Sequence, residues 1–292
     1  MKRVLILGNN GMLGHACEFV LSSDTSLKIL TSSRSGIASD YRFDALSDNI
    51  EELISVAKPD YIVNCIGVIK PRINEGSMKS VQDSLTINAL FPHLLYEATK
   101  NSPTKVIQIA TDCVFSGSVG SYDEDSEQDP KDVYGKTKSL GEIWGENFLN
   151  LRVSIIGPEK NRSTSLLEWF LGQPAGAVLR GYSNHFWNGV STFHFAKVVL
   201  GIIQLESFVS GKRHLVPSDK VSKFELLELF RDYYKRQDLI VERDYPTVVI
   251  DRTLSTIHSE QNRLMWRNAG YEQVPRIQDI VREMKDFTEF LP

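Results

Sequence analysis

The chain has 292 residues, of which 41% are hydrophobic and 24% charged, as in globular proteins that bury a core without disulfides or metals. Its 33 basic and 37 acidic residues give a net charge of −4 without a long run of one sign, which argues against nucleic acid or an anionic membrane surface as the main partner. The cysteines Cys17, Cys65 and Cys113 form no Cys-x-x-Cys pair and have no histidine at ligand spacing, so we expect free thiols in a reducing compartment and no metal site.

The sequence begins Met-Lys-Arg and passes directly into an apolar strand, which leaves no room for a signal peptide. No apolar stretch approaches the roughly 20 residues that a membrane-spanning helix needs. We therefore expect a cytoplasmic protein that has no membrane partner.

The first half of the chain alternates short apolar runs with helical patterns. The apolar runs predict a short strand ending near Asp44 and strands at residues 4–7, 27–31, 61–65, 105–110 and 151–156. Amphipathic periodicity predicts helices at residues 12–22, 48–57, 81–100 and 133–148. Strands separated by helices predict an α/β fold with a doubly wound parallel sheet of the Rossmann type.

The rhythm changes after Gly157, where proline, glycine and aromatic residues follow in irregular order. Further helices are predicted around residues 165–171, 194–205, 224–235 and 277–287. We assign residues 1–157 to the sheet domain, with 192–210 and about 238–250 returning to it. The remaining segments, 158–191, 211–237 and 251–292, are predicted to form a smaller C-terminal cap.

A glycine-rich loop joins the first predicted strand to the first helix. Gly8, Gly11 and Gly14 have the spacing Gly-x-x-Gly-x-x-Gly. Glycines at this position allow a tight turn and a close approach of the backbone to a pyrophosphate, which the N–H groups of the helix N-terminus then bind. The loop therefore predicts a dinucleotide site; the alternative is a glycine-rich turn without a ligand.

The end of the second predicted strand indicates which dinucleotide is bound. An NAD enzyme places an acidic residue there for the ribose 2′-hydroxyl, whereas an arginine accommodates the 2′-phosphate of NADP. This chain has Ser32, Ser33 and Arg34 at that position and no carboxylate. A guanidinium and hydroxyls suit a phosphate, so the sequence favours NADP(H); the alternative is a solvated loop arginine.

Tyr134 and Lys138 form a Tyr-x-x-x-Lys pair one helical turn apart. We expect the ammonium group to lower the pKa of the phenol so that the phenol exchanges a proton near neutrality. Thr111 ends the preceding strand, at the sheet edge where parallel α/β proteins bind ligands. The same spacing recurs at Tyr96 and Lys100, but that pair lies at the far end of its helix and is interpreted as structural.

Together with the glycine loop, Asn64 and Asn88, these residues resemble the extended short-chain dehydrogenase/reductases. Within that family, Thr-Asp-Cys-Val-Phe-Ser-Gly at residues 111–117 is similar to the Ser-Thr-Asp-Tyr-Val-Phe segment of dTDP-4-dehydrorhamnose reductases. The resemblance covers essentially the whole chain. It implies that NADPH reduces the 4-keto group of a dTDP- or UDP-linked 6-deoxy sugar, for surface polysaccharide synthesis.

The resemblance also implies which residues form the site. The implied catalytic residues are Thr111, Tyr134 and Lys138. The sheet domain would bind NADPH through Gly8, Asn10, Gly11, Met12, Leu13, Ser33, Arg34, Asp44, Ala45, Cys65, Ile66, Gly67, Ala110, Tyr134, Lys138 and Ile155. The cap would bind the nucleotide sugar together with Asp112, Cys113, Val114, Phe115 and Trp187.

Several alternatives remain at this level. Cys113 stands where the related 4,6-dehydratases carry a glutamate, and a thiol cannot replace that carboxylate, which argues against a dehydratase. An epimerase with bound NAD and a non-catalytic NADP-binding regulatory subunit are the two remaining rivals. Cys113 is interpreted as a packing residue because no histidine is placed to activate it, and Trp187 as a core, lid or sugar-contacting residue.

Extended members of the family pair through two helices, which here would be residues 81–100 and 133–148. The second helix would carry Ile143, Trp144 and Phe148 on more than one face. This apolar surface predicts a homodimer; the alternative is that the C-terminal segment covers it.

Overall fold

The computed structural model describes residues 1–159 and 165–290. A seven-stranded sheet lies at its centre, with every neighbouring pair parallel and the strand order β11-β6-β5-β4-β1-β2-β3. Its strands are β1 Lys2–Leu7, β2 Leu27–Ser33, β3 Tyr41–Arg42, β4 Tyr61–Asn64, β5 Lys105–Thr111, β6 Phe148–Val153 and β11 Gly211–His214. This arrangement confirms the predicted Rossmann-type fold class.

Helices cover both faces of the sheet because alternate strand residues are apolar on both sides. Val4 and Ile6 of β1 are buried in one cluster with side chains from α1, α7 and α9, whereas Leu5 and Leu7 are buried in another with side chains from α2 and α4. The helices are α1 Met12–Leu21, α2 Ile50–Ala57, α4 Phe91–Thr99, α7 Thr192–Gln204 and α9 Ser259–Asn268.

The long helix predicted at residues 81–100 consists of three consecutive parts. It begins with α3, Met78–Ser84, continues through a π-helical turn, Leu85–Leu90, and ends with α4. Pro92 lies in the first turn of α4, and a proline has no N–H to donate to the preceding helical turn. Pro92 therefore sits directly after the π-helical turn.

A smaller cap is built from short strands and three helices. β8 Val178–Tyr182 pairs with β13 Ile240–Asp244, and β9 His185–Trp187 lies between β12 Val221–Ser222 and β14 Ile250–Asp251. Two further short strands, β7 Ile155–Ile156 and β10 Val190–Ser191, pair with each other. A separate hydrophobic cluster joins α6 Leu166–Leu171, α8 Lys223–Tyr233 and α10 Ile277–Phe290.

Several of the sequence predictions differ from the structure. Helix α5, Val133–Leu140, ends well before residue 148, and Phe148 begins β6 instead. Residues 211–214 form an edge strand of the main sheet, although they were assigned to the cap, and residues 240–244 pair with β8 in the cap, although they were expected to return to the sheet. Residues 160–164 and 291–292 of the predicted cap lie outside the described residues.

Within residues 1–159 and 165–290, no helix combines the length and the apolar character that crossing a bilayer requires.

Candidate active site

The order of the strands creates a crevice at their carboxyl ends. The chain builds β1, β2 and β3 outward in one direction and then β4, β5 and β6 in the other, so the direction reverses between β1 and β4. Ligands of open α/β sheets bind at such a reversal. The loops after β1, β2, β4 and β5 therefore surround the candidate site.

The glycine loop fits an anion at this position. Gly8 has a φ of +84°, and a Cβ on Gly14 would lie 2.1 Å from the Gly8 carbonyl oxygen, so both positions require glycine. At the N-terminus of α1, Gly11 offers no side-chain cap and the first turn has no acidic residue. The first-turn N–H groups, around Met12 and Leu13, are thus left for a negatively charged ligand.

Two asparagines tie this loop to the turn that follows β2. Asn9 Nδ2 donates to the Ala38 carbonyl oxygen at 3.0 Å, and Asn10 Nδ2 donates to that of Ile37 at 3.2 Å. The Ser33 hydroxyl lies within the same turn, 2.9 Å from the Ser39 hydroxyl. These contacts hold the predicted 2′-phosphate residues beside the glycine loop.

Arg34 lies at this turn with an exposed side chain and, among the described residues, forms no ion pair or hydrogen bond. Asp44 follows β3 at the same sheet edge, and its Oδ1 accepts a hydrogen bond from Leu46 N while Ala45 is half-buried. A free guanidinium close to uncapped helix N–H groups has the chemistry to bind a phosphate.

The predicted middle of the cofactor path follows β4. Cys65 N donates to the Leu7 carbonyl oxygen at 3.0 Å, and Ile66 N donates to Asn64 Oδ1 at 3.1 Å, so the chain crosses directly beside the glycine loop. Ile66 packs against Gly8, where an added Cβ would lie 3.1 Å from Ile66 Cγ1. Cys65, Ile66 and Gly67 therefore share one edge with the glycine loop.

Thr111 and Tyr134 meet at the end of β5. The Thr111 hydroxyl accepts a hydrogen bond from Cys113 N at 3.1 Å, donates to Asp112 Oδ1 at 3.2 Å, and is hydrogen-bonded to the Tyr134 side chain. Threonine and tyrosine hydroxyls thus converge on one point at the sheet edge. A substrate oxygen placed there can contact both groups.

The pKa of Tyr134 differs from the expectation. We expected Lys138 to lower it, but burial raises the pKa of Tyr134 above its usual value, and the hydrogen bond between Tyr134 and Thr111 opposes this only in part. Desolvation penalises the phenolate more than the surrounding groups stabilise it. Tyr134 is consequently a protonated phenol at neutral pH, which is the form that donates a proton.

Lys138 is buried one helical turn further along α5. Its Nζ donates to the Ile109 carbonyl oxygen at 2.9 Å, which holds the ammonium against β5. Burial lowers the pKa of Lys138 to about 8, although the nearby Glu142 and Cys65 raise it. The side chain therefore carries its charge at neutral pH and begins to lose it in mildly basic solution.

Asn88, in the π-helical turn, connects the cofactor path to α5. Its Oδ1 accepts from Val68 N at 2.8 Å, and its Nδ2 donates to the Val68 carbonyl oxygen at 2.9 Å and to the Thr137 hydroxyl at 3.2 Å. These contacts fix the segment after β4 against the helix that carries Tyr134 and Lys138.

The glycine after Tyr134 is required by close packing. A Cβ on Gly135 would lie 2.2 Å from the Cys113 carbonyl oxygen and 2.7 Å from Pro130 Cβ. Asp132 caps α5 by accepting a hydrogen bond from Gly135 N at 2.8 Å. The first turn of α5 thus rests directly on the turn that follows Thr111.

The residues predicted to contact substrate do not all face the site. Asp112 is buried beside Thr111, and Cys113 is half-buried there; burial raises the pKa of the Cys113 thiol to about 12, which disfavours a thiolate nucleophile. Val114 and Phe115 are fully buried in a hydrophobic cluster in which Phe115 stacks on Tyr122 at 4.3 Å. Their side chains pack the core and leave no surface for a ligand.

The other predicted residues lie around this point. Ala110 is buried in β5 next to Thr111, and Ile155 is half-buried in β7. Trp187 is only 4% exposed, and its indole N–H donates to the Ser154 hydroxyl at 2.9 Å. Most of the Trp187 ring is therefore part of the cap core.

Two cap residues that sequence reasoning missed approach Asp112. Burial raises the pKa of the Asp112 carboxyl, and the charges of Arg252, which follows β14, and of Lys223, the first residue of α8, oppose this rise only in part. Neither belongs to a recognisable motif; the pairing of β12 with β9 places Lys223 beside the Trp187 ring, and that of β14 with β9 positions Arg252, which comes next in the chain.

The second Tyr-x-x-x-Lys pair is structural, as interpreted from the sequence. The Tyr96 ring packs edge-on against Phe148 at 6.3 Å, and a Cβ on Gly145 would lie 2.2 Å from it. Lys100 forms an ion pair with Glu97 at the protein surface. This pair lies at the opposite end of its helix from the crevice.

Two curated relatives align with about half of this chain. The methionine adenosyltransferase 2 subunit beta of Xenopus tropicalis is 30% identical over 145 residues, covering 48% of this chain and 42% of that protein. The spore coat polysaccharide biosynthesis protein SpsK of Bacillus subtilis is 28% identical over 144 residues, covering 49% and 47%. The chain thus matches less than half the length of these relatives.

Solved structures match over the whole chain. A dTDP-4-dehydrorhamnose reductase from Clostridium acetobutylicum superimposes with a TM-score of 0.77 at 20% identity, covering 99% of this chain and 100% of that one. The Bacillus anthracis enzyme of the same name, in complex with NADP, gives a TM-score of 0.76 at 18% identity with full coverage of both chains. These likenesses establish the shared fold.

The family assignment follows from the sequence itself. The model of the RmlD substrate binding domain matches residues 1–162, which is more than half of the chain and includes the glycine loop, Thr111, Tyr134 and Lys138. The chain therefore belongs to the RmlD substrate binding domain family.

Proposed function

We propose that this protein is an NADPH-dependent reductase of the 4-keto group of a nucleotide-activated 6-deoxy sugar. The observation that carries the proposal is the convergence of the Thr111 hydroxyl and the protonated Tyr134 phenol at the end of β5, beside the buried Lys138. This arrangement suits proton donation to a carbonyl oxygen. Membership of the RmlD family and the NADP-bound reductase of the same fold support the cofactor and the substrate class.

The chain's own residues have distinct tasks in this reaction. When bound, NADPH supplies a hydride to the carbonyl carbon. Tyr134 gives its proton to the carbonyl oxygen, so the ketone becomes an alcohol and the phenolate left behind regains a proton from solvent. Thr111 hydrogen-bonds the same oxygen, and Lys138 would hold the cofactor with its ammonium group. Proton donation of this kind accelerates a reaction by about 10²- to 10⁴-fold.

The glycine loop and Arg34 would hold the phosphates of the cofactor, and residues 65–67 would contact the middle of the cofactor. A nucleotide-linked sugar, dTDP- or UDP-linked, is the proposed substrate, and the resemblance to the spore coat protein SpsK supports a place in polysaccharide synthesis.

A panel of nucleotide-linked keto sugars tests the proposal through the loss of NADPH absorbance. We expect turnover by the native protein and none by Tyr134→Phe, which should bind NADPH as before because only the proton donor is lost. Tyr96→Phe is the matched control and should keep its activity. Substantial turnover by Tyr134→Phe would remove this residue from the proposed role.

The relative from Xenopus supports one other function, a non-catalytic regulatory subunit, because its name denotes a subunit of another enzyme. A native protein that binds NADPH but consumes none with any keto sugar would favour that alternative. The intact set of Thr111, Tyr134 and Lys138 favours the reductase.

A further inference from the structure

Lys223 carries an ammonium group next to an aromatic ring of the cap. It is the first residue of α8 and is half-buried, with its Nζ 5.6 Å from the centre of the Trp187 ring. Among the residues that the structure describes, no acceptor hydrogen-bonds to Nζ and no carboxylate forms an ion pair with it. Burial lowers the pKa of Lys223 to about 8, and the charge of Asp112 opposes this effect.

Arg252 is a second cation with free donors. Its Nε donates to the Phe115 carbonyl oxygen at 2.9 Å, and its stem packs where a Cβ on Gly117 would lie 2.9 Å from Arg252 Cγ. The two terminal nitrogens of the guanidinium have no hydrogen-bond partner in the described part of the chain. These two nitrogens are therefore available as a planar pair of donors, the arrangement that binds phosphate oxygens.

The backbone around Arg252 is firmly held. Asp251 N donates to the Gly117 carbonyl oxygen at 2.8 Å, and Leu254 N donates to Asn188 Oδ1 at 2.9 Å. Ser255 N donates to the Tyr122 carbonyl oxygen at 2.7 Å. The position of Arg252 is therefore fixed by the fold and does not depend on a bound ligand.

Both cations face the same carboxylate beside Thr111. Asp112 is a carboxylate whose charge acts on Lys223, and another carboxylate near Arg252, Asp132, is already paired with Lys70 at 2.8 Å. Two cations against one unpaired carboxylate leave an excess of positive charge in a poorly hydrated place. Such a charge is stabilised when an anion binds.

We propose that Lys223 and Arg252 form the binding site for the phosphate groups of the nucleotide-sugar substrate, and that they hold the sugar against Thr111 and Tyr134. This inference rests on the proposed function, because the proposed dTDP- or UDP-linked sugar carries a diphosphate. Both residues belong to the cap. The cap would therefore bind the charged phosphates of the substrate, while β5 and α5 supply the catalytic residues.

Calorimetric titration with dTDP and with UDP, in the presence of NADPH, tests the site. Each of Lys223→Gln and Arg252→Gln should weaken binding of both diphosphates by about 10- to 100-fold, since each removes a charge-assisted contact. Thymidine and uridine should bind equally to all forms. Arg180→Gln, which removes an exposed cation from the same cap, is the control and should bind as the native protein does.

NADPH affinity serves as the measure of a correctly folded protein in every variant. If both variants bind NADPH and the diphosphates as tightly as the native protein, the inference is wrong. If they bind UDP normally and lose affinity only for UDP-glucuronate, the cations read a sugar carboxylate, and the phosphate assignment is equally overturned. A native protein that binds NADPH but neither diphosphate would refute the proposed substrate class itself.

Discussion

At the scale of single residues, burial fixes the charge of each group at the candidate site. Tyr134 keeps its proton because desolvation raises its pKa, and Lys138 holds its charge only up to about pH 8. Tyr134 and Lys138 were proposed from their spacing and Thr111 from its position at the end of a strand, but the ionisation of Tyr134 was not predicted. Spacing along a helix fixes which side chains are neighbours, whereas the pKa depends on how much water the tertiary fold removes.

The pKa of Lys138 predicts that NADPH affinity depends on pH. The ammonium is present below about pH 8 and is lost as the pH rises through that value. We therefore expect the Kd for NADPH to increase as the pH passes through about 8, as measured by fluorescence titration. Lys138→Met should bind NADPH more weakly and without this step. A native Kd that stays constant across the same range would contradict the prediction.

Arg34 is expected to read the 2′-phosphate of NADPH. Its exposed guanidinium is free among the described residues and lies on the turn tied to the glycine loop. Arg34→Ala should weaken NADPH binding by about 1.5–3 kcal/mol and NADH binding far less. Lys28→Ala, at the other end of β2, is the control. Equal losses for the two cofactors in calorimetry would mean that Arg34 does not contact the 2′-phosphate.

At the scale of elements, the strands that flank the site were the most predictable part. β1 and β4 contain continuous apolar runs, and the run in β5 is interrupted only by Gln108, because these strands are buried on both faces, and this pattern is visible locally. Helix α5 ends earlier than its apolar spacing predicted because two glycines bring the chain close to other elements. A Cβ on Gly141 would lie 2.0 Å from the Asn88 carbonyl oxygen, and one on Gly145 would overlap Tyr96.

The contact between α5 and the turn after Thr111 makes Gly135 a sensitive position. Gly135→Ala would push the first turn of α5, and with it Tyr134, away from the Cys113 carbonyl oxygen. We expect a loss of about 1–3 kcal/mol in the free energy of unfolding, measured with denaturant, together with a lower kcat. Gly76→Ala, where the new Cβ would be 3.4 Å from its nearest neighbour, should change neither. Native stability and kcat in Gly135→Ala would show that α5 tolerates the displacement.

At the scale of the whole molecule, the cap was predicted to exist but not in its connections. Its strands have two to five residues, and their partners lie far away in the sequence, as with β8 and β13 or β9 and β14. Such short strands have no period to detect. Lys223 and Arg252 were missed for the same reason, because only the pairing of β12 and β14 with β9 brings them near Asp112.

The surface through which we expect two copies to pair is not the one predicted from the sequence. Trp144 lies beyond the end of α5, and Ile143 and Phe148 are buried, so none of them forms a helical face. A shallow groove of about 330 Å³ instead runs between the π-helical turn and the end of α5, with Leu85, Leu90 and Leu140 exposed along it. An exposed apolar groove on the two expected helices supports pairing of two copies there.

Light scattering at micromolar concentration tests this surface. We expect a dimer for the native chain and for Trp144→Glu, and a monomer for Leu90→Glu, because a charge in the groove must be desolvated on pairing. A native monomer, or a dimer that survives Leu90→Glu, would rule out pairing through these helices.

The course of the chain through its two layers has a consequence for engineering. After Gly157 the chain builds part of the cap, returns to the sheet for α7 and β11, and then builds the rest of the cap from β12 onward. Helix α9 comes back once more to pack Met265 and Trp266 against the main core. A chimaera that carries the cap of a relative, and with it the substrate specificity of that relative, therefore cannot be made by exchanging one continuous segment. It needs several short inserts that leave α7, β11 and α9 in place, and a single crossover after residue 157 would replace half of the core along with the cap.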